Sequence, residues 1–185
     1  VSQSFNDLNE IRKDLSIRGK NGIPFILAAI IIWSIVTVIF LLPLDLHTQN
    51  IAMLFSTGLM FPLAILFSSV MKADWKLENN PFANLGVILN VAQLMYFPVI
   101  VWAISVSPEQ AVVFFAIIVG AHFFPYGWFY NAKGYYVMAP VISVVVLFIE
   151  FIVGSDLLWV VPLSTAVLLG IVAAWLYNGY RRKLD

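Results

Sequence analysis

Hydrophobic residues run along the chain in blocks of about 20, separated by short polar connections. A hydrocarbon core about 30 Å thick is spanned by about 20 helical residues at 1.5 Å each. Six blocks meet that length, at about residues 24–43, 51–71, 84–106, 109–131, 135–153 and 157–179. The connections carry what helix ends require. Pro24 and Pro81 suit first-turn positions, and "SPEQ" offers Ser107 as N-cap, Pro108 at N1 and Gln110 as its capping-box partner. Gly134, Gly154 and Gly179 stand where helices are expected to stop. No small-residue cleavage pattern follows the first block, which runs into "PLDLH", so it is expected to be a retained helix.

The expected fold is therefore an all-α integral membrane protein with six transmembrane helices over 23–180. Residues 1–22 precede it and a basic tail, 181–185, follows it. In the first segment Phe5, Leu8, Ile11 and Leu15 share a helical stripe and Ser4 to Asp7 resembles a cap. That spacing predicts a short amphipathic helix on the cytoplasmic membrane face, against the alternative of a frayed, solvated tail. In the longest connection, "KADWKLENNPFANLG", Trp75 and Phe82 are expected at headgroup level.

Composition agrees with this reading: 62% of 185 residues are hydrophobic and 11% charged, with a mean hydropathy of +0.94. Zero cysteines exclude disulfides, thiolate metal sites and a cysteine nucleophile. A formal charge of zero offers no overall field for a nucleic-acid partner. The distribution of charge is more informative. Arg12, Lys13, Arg18 and Lys20 precede the first block, Lys72 and Lys76 lie between the second and third, Lys133 between the fourth and fifth, and Arg181, Arg182 and Lys183 follow the sixth. The other three connections have none. That pattern predicts both termini in the cytoplasm, in a multi-pass protein expected in the plasma (cell) membrane.

Polar residues inside the spans are costly and so are candidate functional groups, although each can also be structural glue. At 1.5 Å per residue, Gln93 and His122 both lie roughly 12–14 Å from the cytoplasmic ends of their helices. Asn90 is one turn from Gln93, Tyr126 and Tyr130 follow His122 at i+4 and i+8, and Tyr136 enters the same zone. Asn90, Gln93, His122, Tyr126, Tyr130 and Tyr136 thus form a candidate ligand wall. Nearer the outer end, Ser143, Glu150 and Ser164 form a second candidate polar group. Pro62, Pro98, Pro125, Pro140 and Pro162 place one proline in each of helices 2 to 6, where each removes an amide donor and is expected to kink the bundle. Ala116 with Gly120, and Ala166 with Gly170 and Ala174, are small-residue stripes that suit close packing within the bundle or across a homodimer.

The two histidines, His47 and His122, belong to opposite halves of the membrane and cannot share a metal. No P-loop, G-x-S-x-G elbow or dinucleotide fingerprint is present, and no cofactor, metal or catalytic set is expected. The leading functional expectation is binding, with transport or sensing, of a small amphipathic or aromatic ligand in an intramembrane cavity. A noncatalytic accessory subunit contacting another membrane protein is the alternative, and an intramembrane enzyme ranks last. The expected partners are the lipid bilayer, a small-molecule or lipid ligand, and a second copy or another membrane protein.

Overall fold

The computed structural model describes residues 2–184, with the side chains of residues 2–6 and 155 left out. Phe5 and Ser4 of the expected stripe and cap therefore lie outside the described side chains. All regular structure among the described residues is helical. In hydrocarbon a helix satisfies its backbone groups within its own segment, and each apolar block takes that solution.

Helix α1 is Ser2–Arg18. Six helical spans follow, Lys20–Leu41, Leu46–Met71, Ala83–Val106, Ala111–Phe129, Lys133–Val153 and Val160–Leu184, each long and apolar enough to cross a membrane. Span 1 is mostly α2 (Ile23–Leu41). Span 2 is divided into α3 (Leu46–Ser56) and α4 (Met60–Met71), span 3 into α5 (Ala83–Leu94) and α6 (Phe97–Val106), and span 4 into α7 (Ala111–His122) and α8 (Phe124–Phe129). Spans 5 and 6 are the unbroken α9 (Lys133–Val153) and α10 (Val160–Leu184).

The divisions fall one turn before Pro62, Pro98 and Pro125. A proline has no amide proton, and its ring crowds the carbonyl four residues back, so the preceding turn tightens. In span 3 the amides of Met95 and Tyr96 donate to the carbonyls of Ala92 and Gln93, and in span 4 Phe123 donates to Gly120. In span 2 the hydroxyls of Ser56 and Thr57 take the carbonyls of Met53 and Leu54. The other two prolines behave differently. Pro140 sits inside continuous α9, and Pro162 is in the first turn of α10, where its missing donor costs nothing.

Helix α2 packs on α10 and α4, α9 packs on α7 and α10, and α6 covers the far half of α7. Trp33 of α2 stacks on Phe115 of α7, with centroids 5.3 Å apart. Burial is uneven: 56% of the most apolar stretch of span 1 is buried, against 17% of span 3.

Both termini and two connections meet at one end. The Asp74 amide donates to the Arg18 carbonyl at 2.9 Å, and the Lys183 ammonium reaches the Tyr130 and Asn131 carbonyls. At the opposite end the Asn50 amide donates to the Pro108 carbonyl at 2.9 Å. Among the described residues the termini end holds all ten Lys and Arg against five Asp and Glu, and the opposite end holds four Asp and Glu and no Lys or Arg.

Several expected helix ends differ. Ser107 makes no side-chain cap; its carbonyl closes a turn with the Gln110 amide, and α7 starts one turn later. Gly154 does end α9, but Gly134 lies inside that helix's first turn and α10 continues five residues beyond Gly179 to Leu184. Contacts of the last turn hold it helical.

Candidate functional site

The six residues expected to form one wall take different partners. Tyr126 and Tyr130 stack with Tyr135, at centroid distances of 5.9 to 6.2 Å, and with Phe129 they fill a buried aromatic block. Tyr136 faces elsewhere. Its ring lies flat on Gly127, where an added Cβ would fall 2.7 Å from it, and it meets Phe124 edge-on. Asn90 donates to the Gly86 carbonyl of its own helix. His122 and Gln93 remain. Both are half-buried, and among the described residues neither side chain has a hydrogen-bond partner. The His122 ring stands edge-on to Tyr126 at 5.3 Å.

In the expected outer group no hydrogen bond joins Ser143, Glu150 and Ser164 among the described residues. Ser143 donates to Ile117 of α7 as well as to Ala139 of its own helix, so it ties spans 4 and 5 together. Ser164 bonds only the Val160 carbonyl one turn back. The Glu150 Oε2 atom is buried without a partner among the described residues.

A denser polar site occupies the termini end, and its centre, Asn21, was not among the sequence candidates. Asn21 is fully buried and has a left-handed backbone, φ 54°, between Lys20 at 48° and Gly22 at 73°. Three consecutive left-handed residues reverse the chain between α1 and α2; only asparagine and glycine adopt that conformation cheaply. Every polar group of Asn21 that faces inward is used. Its Oδ1 accepts from the Ser16 hydroxyl at 2.6 Å and from the Lys183 ammonium at 3.2 Å. Its Nδ2 donates to the Leu176 carbonyl at 2.9 Å, and its carbonyl accepts from the Tyr135 hydroxyl at 2.7 Å. Lys183 also donates to Ser16 Oγ and the carbonyls of Tyr130 and Asn131, so four oxygens surround one ammonium.

The aromatic block supports this turn from one side. An added Cβ on Gly22 would lie 2.7 Å from the Tyr130 ring and 2.9 Å from the Tyr135 hydroxyl. Tyr130, in the connection between spans 4 and 5, is kept neutral because burial pushes its phenol up. Helix α1 is clamped to the same end at two further points. The Arg12 guanidinium lies over the Trp128 ring at 4.9 Å and donates to the Trp128 carbonyl at 2.7 Å. Arg18 bridges Asp14 and Asp74, and Asn80 donates to Asp14 and to the Ile11 carbonyl. These contacts bind the long connection to α1, and Leu15 and Ser16 are fully buried beneath the spans.

A sequence signal for this site exists in "GKNGIP": Asn-Gly after a charged helix is a left-handed turn signature. Its partners are distant in sequence, Leu176 lying 155 residues from Asn21.

The spans and this shared polar end define a membrane-type helical bundle with six helices able to cross a bilayer. Within that class, the chain belongs to a family of unknown function, DUF7010, whose pattern matches residues 8–179. The match includes Asn21 and the aromatic block and stops short of Lys183. No curated protein and no solved structure matches the chain.

Proposed function

We propose that the protein lies in the plasma membrane with both termini in the cytoplasm and binds a small amphipathic ligand between spans 3 and 4. The observation that carries this reading is the pair of unpartnered polar side chains, Gln93 and His122, each beside the break in its own span. A polar group left unpaired in apolar surroundings is costly, and a ligand headgroup entering from the side would supply the missing hydrogen bonds.

The surroundings suit such a ligand. Spans 3 and 4 touch at the termini end, where Gly86 packs on Phe129 and Phe82 meets Trp128 edge-on at 5.6 Å, and again where α6 packs on α7. The tightened turns before Pro98 and Pro125 lie between those contacts. Tyr126 offers a ring edge beside His122, while Tyr130 belongs to the supporting block, and Asn90 and Tyr136 are left out of the site. The charge asymmetry between the two ends supports cytoplasmic termini.

Native mass spectrometry of the purified chain should show one retained amphipathic molecule. His122→Ala and Gln93→Ala are each expected to weaken its retention about ten-fold, the worth of one lost hydrogen bond to a desolvated group. Unchanged retention in both folded variants rejects the site. A Lys76→Cys variant of this cysteine-free chain should react with an impermeant maleimide only from the cytoplasmic side.

A second reading, an accessory subunit, is favoured by the sparse burial of span 3, which exposes Val87, Ile88, Val91, Leu94 and Met95. A stoichiometric membrane partner that crosslinks to Val91→Cys would support it over the ligand site.

A further inference from the structure

We propose that the outward face of span 6, at the termini end, binds one anionic phospholipid from the adjoining leaflet. A cavity of about 410 Å³ there is lined by Ile171, Ala174, Trp175, Asn178, Gly179 and Arg182. Their spacing is i, i+3, i+4, i+7, i+8 and i+11, so they form one stripe along α10. Eleven residues of helix make the stripe about 17 Å long, enough to run from the hydrocarbon into the headgroup region.

The stripe changes character along that length. Its deep part is apolar and shallow-walled: Ala174 is exposed, and Gly170, one turn further in, has open space where a Cβ would stand. An acyl chain fits against such a surface because the helix backbone is accessible there. Trp175 follows at interface level, held against the backbone of Gly134, whose added Cβ would lie 3.4 Å from the indole. Asn178 and Arg182 form the polar end of the groove, and Lys133, the residue before Gly134, opens α9 at the same end of the bundle. Arg182 is exposed and forms no ion pair among the described residues, in contrast to Lys183, whose ammonium is consumed by the Asn21 site. A guanidinium fork and an amide at one opening, with a lysine at the start of the neighbouring helix, match a phosphodiester and its glycerol oxygens.

Charge also selects the occupant. Two copies of this chain meeting through the same face would place Arg182 against Arg182, in an end where basic residues already outnumber acidic ones. A soluble anion would leave Ile171 and Ala174 uncovered. An anionic lipid covers the apolar part and neutralises the basic part. The groove is on span 6 and does not depend on the His122 and Gln93 reading.

The test uses the full chain in mixed micelles of phosphatidylglycerol and phosphatidylcholine with identical acyl chains, followed by native mass spectrometry. The wild type is expected to retain one phosphatidylglycerol in clear preference to phosphatidylcholine. Arg182→Gln should reduce that preference about five-fold, the worth of one cation near an anionic headgroup, and Lys133→Gln should reduce it less. Ala174→Phe, which fills the groove, should displace the lipid, whereas His122→Ala should leave the preference intact. Equal retention of the two lipids by the wild type would overturn the proposal. So would an undiminished preference in the Arg182→Gln, Lys133→Gln double variant. A disulfide-linked dimer of Ala174→Cys in oxidised membranes would assign the groove to a second copy instead.

Discussion

At the termini end, side chains from opposite extremes of the chain bond one another; at the other end, polar residues mostly satisfy their near neighbours. Ser16 and Lys183, 167 residues apart, share a hydrogen bond, and Asn21 reaches span 6 while Tyr135 of span 5 reaches back to it. At the opposite end Asp45 caps its own helix through Thr48, Ser164 bonds one turn back, and the Asn50 amide ties span 2 to the connection before span 4 through the Pro108 carbonyl. The difference teaches where the bundle is held as a unit. Breaking one residue at the termini end disturbs α1, spans 1, 5 and 6 together, and the same chemistry removed at the other end disturbs one helix turn.

The largest expected effect comes from Asn21→Leu. It removes the acceptor shared by Ser16 and Lys183 and the donor to Leu176, and it puts a branched side chain at φ 54°. Unsatisfied buried groups and left-handed strain together predict destabilisation on the order of 4 kcal/mol. The unfolding midpoint in mild detergent measures it. A loss no larger than that of a surface variant would remove Asn21 from the centre of the site. Gly22→Ala comes next, at about 3 kcal/mol, because its methyl must displace the Tyr130 ring and Tyr135 hydroxyl while its backbone stays at φ 73°. Trimming the ring in a Gly22→Ala, Tyr130→Leu double variant should recover part of that loss, and strict additivity would show that the two residues do not press on each other.

Much of the fold was legible because spanning a bilayer is an arithmetic of length, and the six blocks could be counted without knowing their contacts. The gathering of basic residues at one end was legible for the same reason, since alternate connections must share an end. The local detail failed where tertiary contacts overrode it. Gly179 read as a stop, yet α10 continues to Leu184, and Lys183 in its last turn reaches four oxygens on α1, the Asn21 turn and the connection between spans 4 and 5. Counting residues along each helix gave Gln93 and His122 one depth, but depth does not say which way a helix face turns. That is why Tyr136 and Asn90 were grouped with them and the structure places both elsewhere.

A smaller effect belongs to the rim of the termini end. Burial disfavours ionisation of Asp74, but the Arg18 hydrogen bond, the Leu77 amide, the Arg18 charge and the Lys76 amide outweigh it and hold the carboxyl below its ordinary 3.8. A carboxyl depressed by folding stabilises the folded state above its unfolded value, and that contribution disappears as pH falls through the lowered folded value. The pair is partly exposed and screened, so the expected contribution is below about 1 kcal/mol. It should be present at neutral pH and lost progressively under about pH 4. Comparing midpoints of wild type and Asp74→Asn across that range checks the sign: the two curves should converge in acid, and a gap that widens there contradicts the assignment.

The smallest effect is expected at Asp45, and it tests the opposite end directly. Its carboxylate accepts from the Thr48 amide at 3.0 Å and the Thr48 hydroxyl at 2.6 Å, and the hydroxyl bond chiefly lowers its pKa. All of these partners lie within three residues. Asp45→Ala should therefore lower hydrogen-exchange protection at the first amides of α3, as protonating the carboxylate in acid should in the wild type once intrinsic rates are divided out, with little change in the global midpoint. The outcome matters because Asp74 and Asp45 each accept backbone amides from two or three residues further on; what differs is that Asp74 also binds Arg18, 56 residues away. If Asp45→Ala lowers the midpoint as far as Asp74→Asn does, the far end is coupled across spans through a route other than Asn50 and Pro108, and the contrast between the two ends fails.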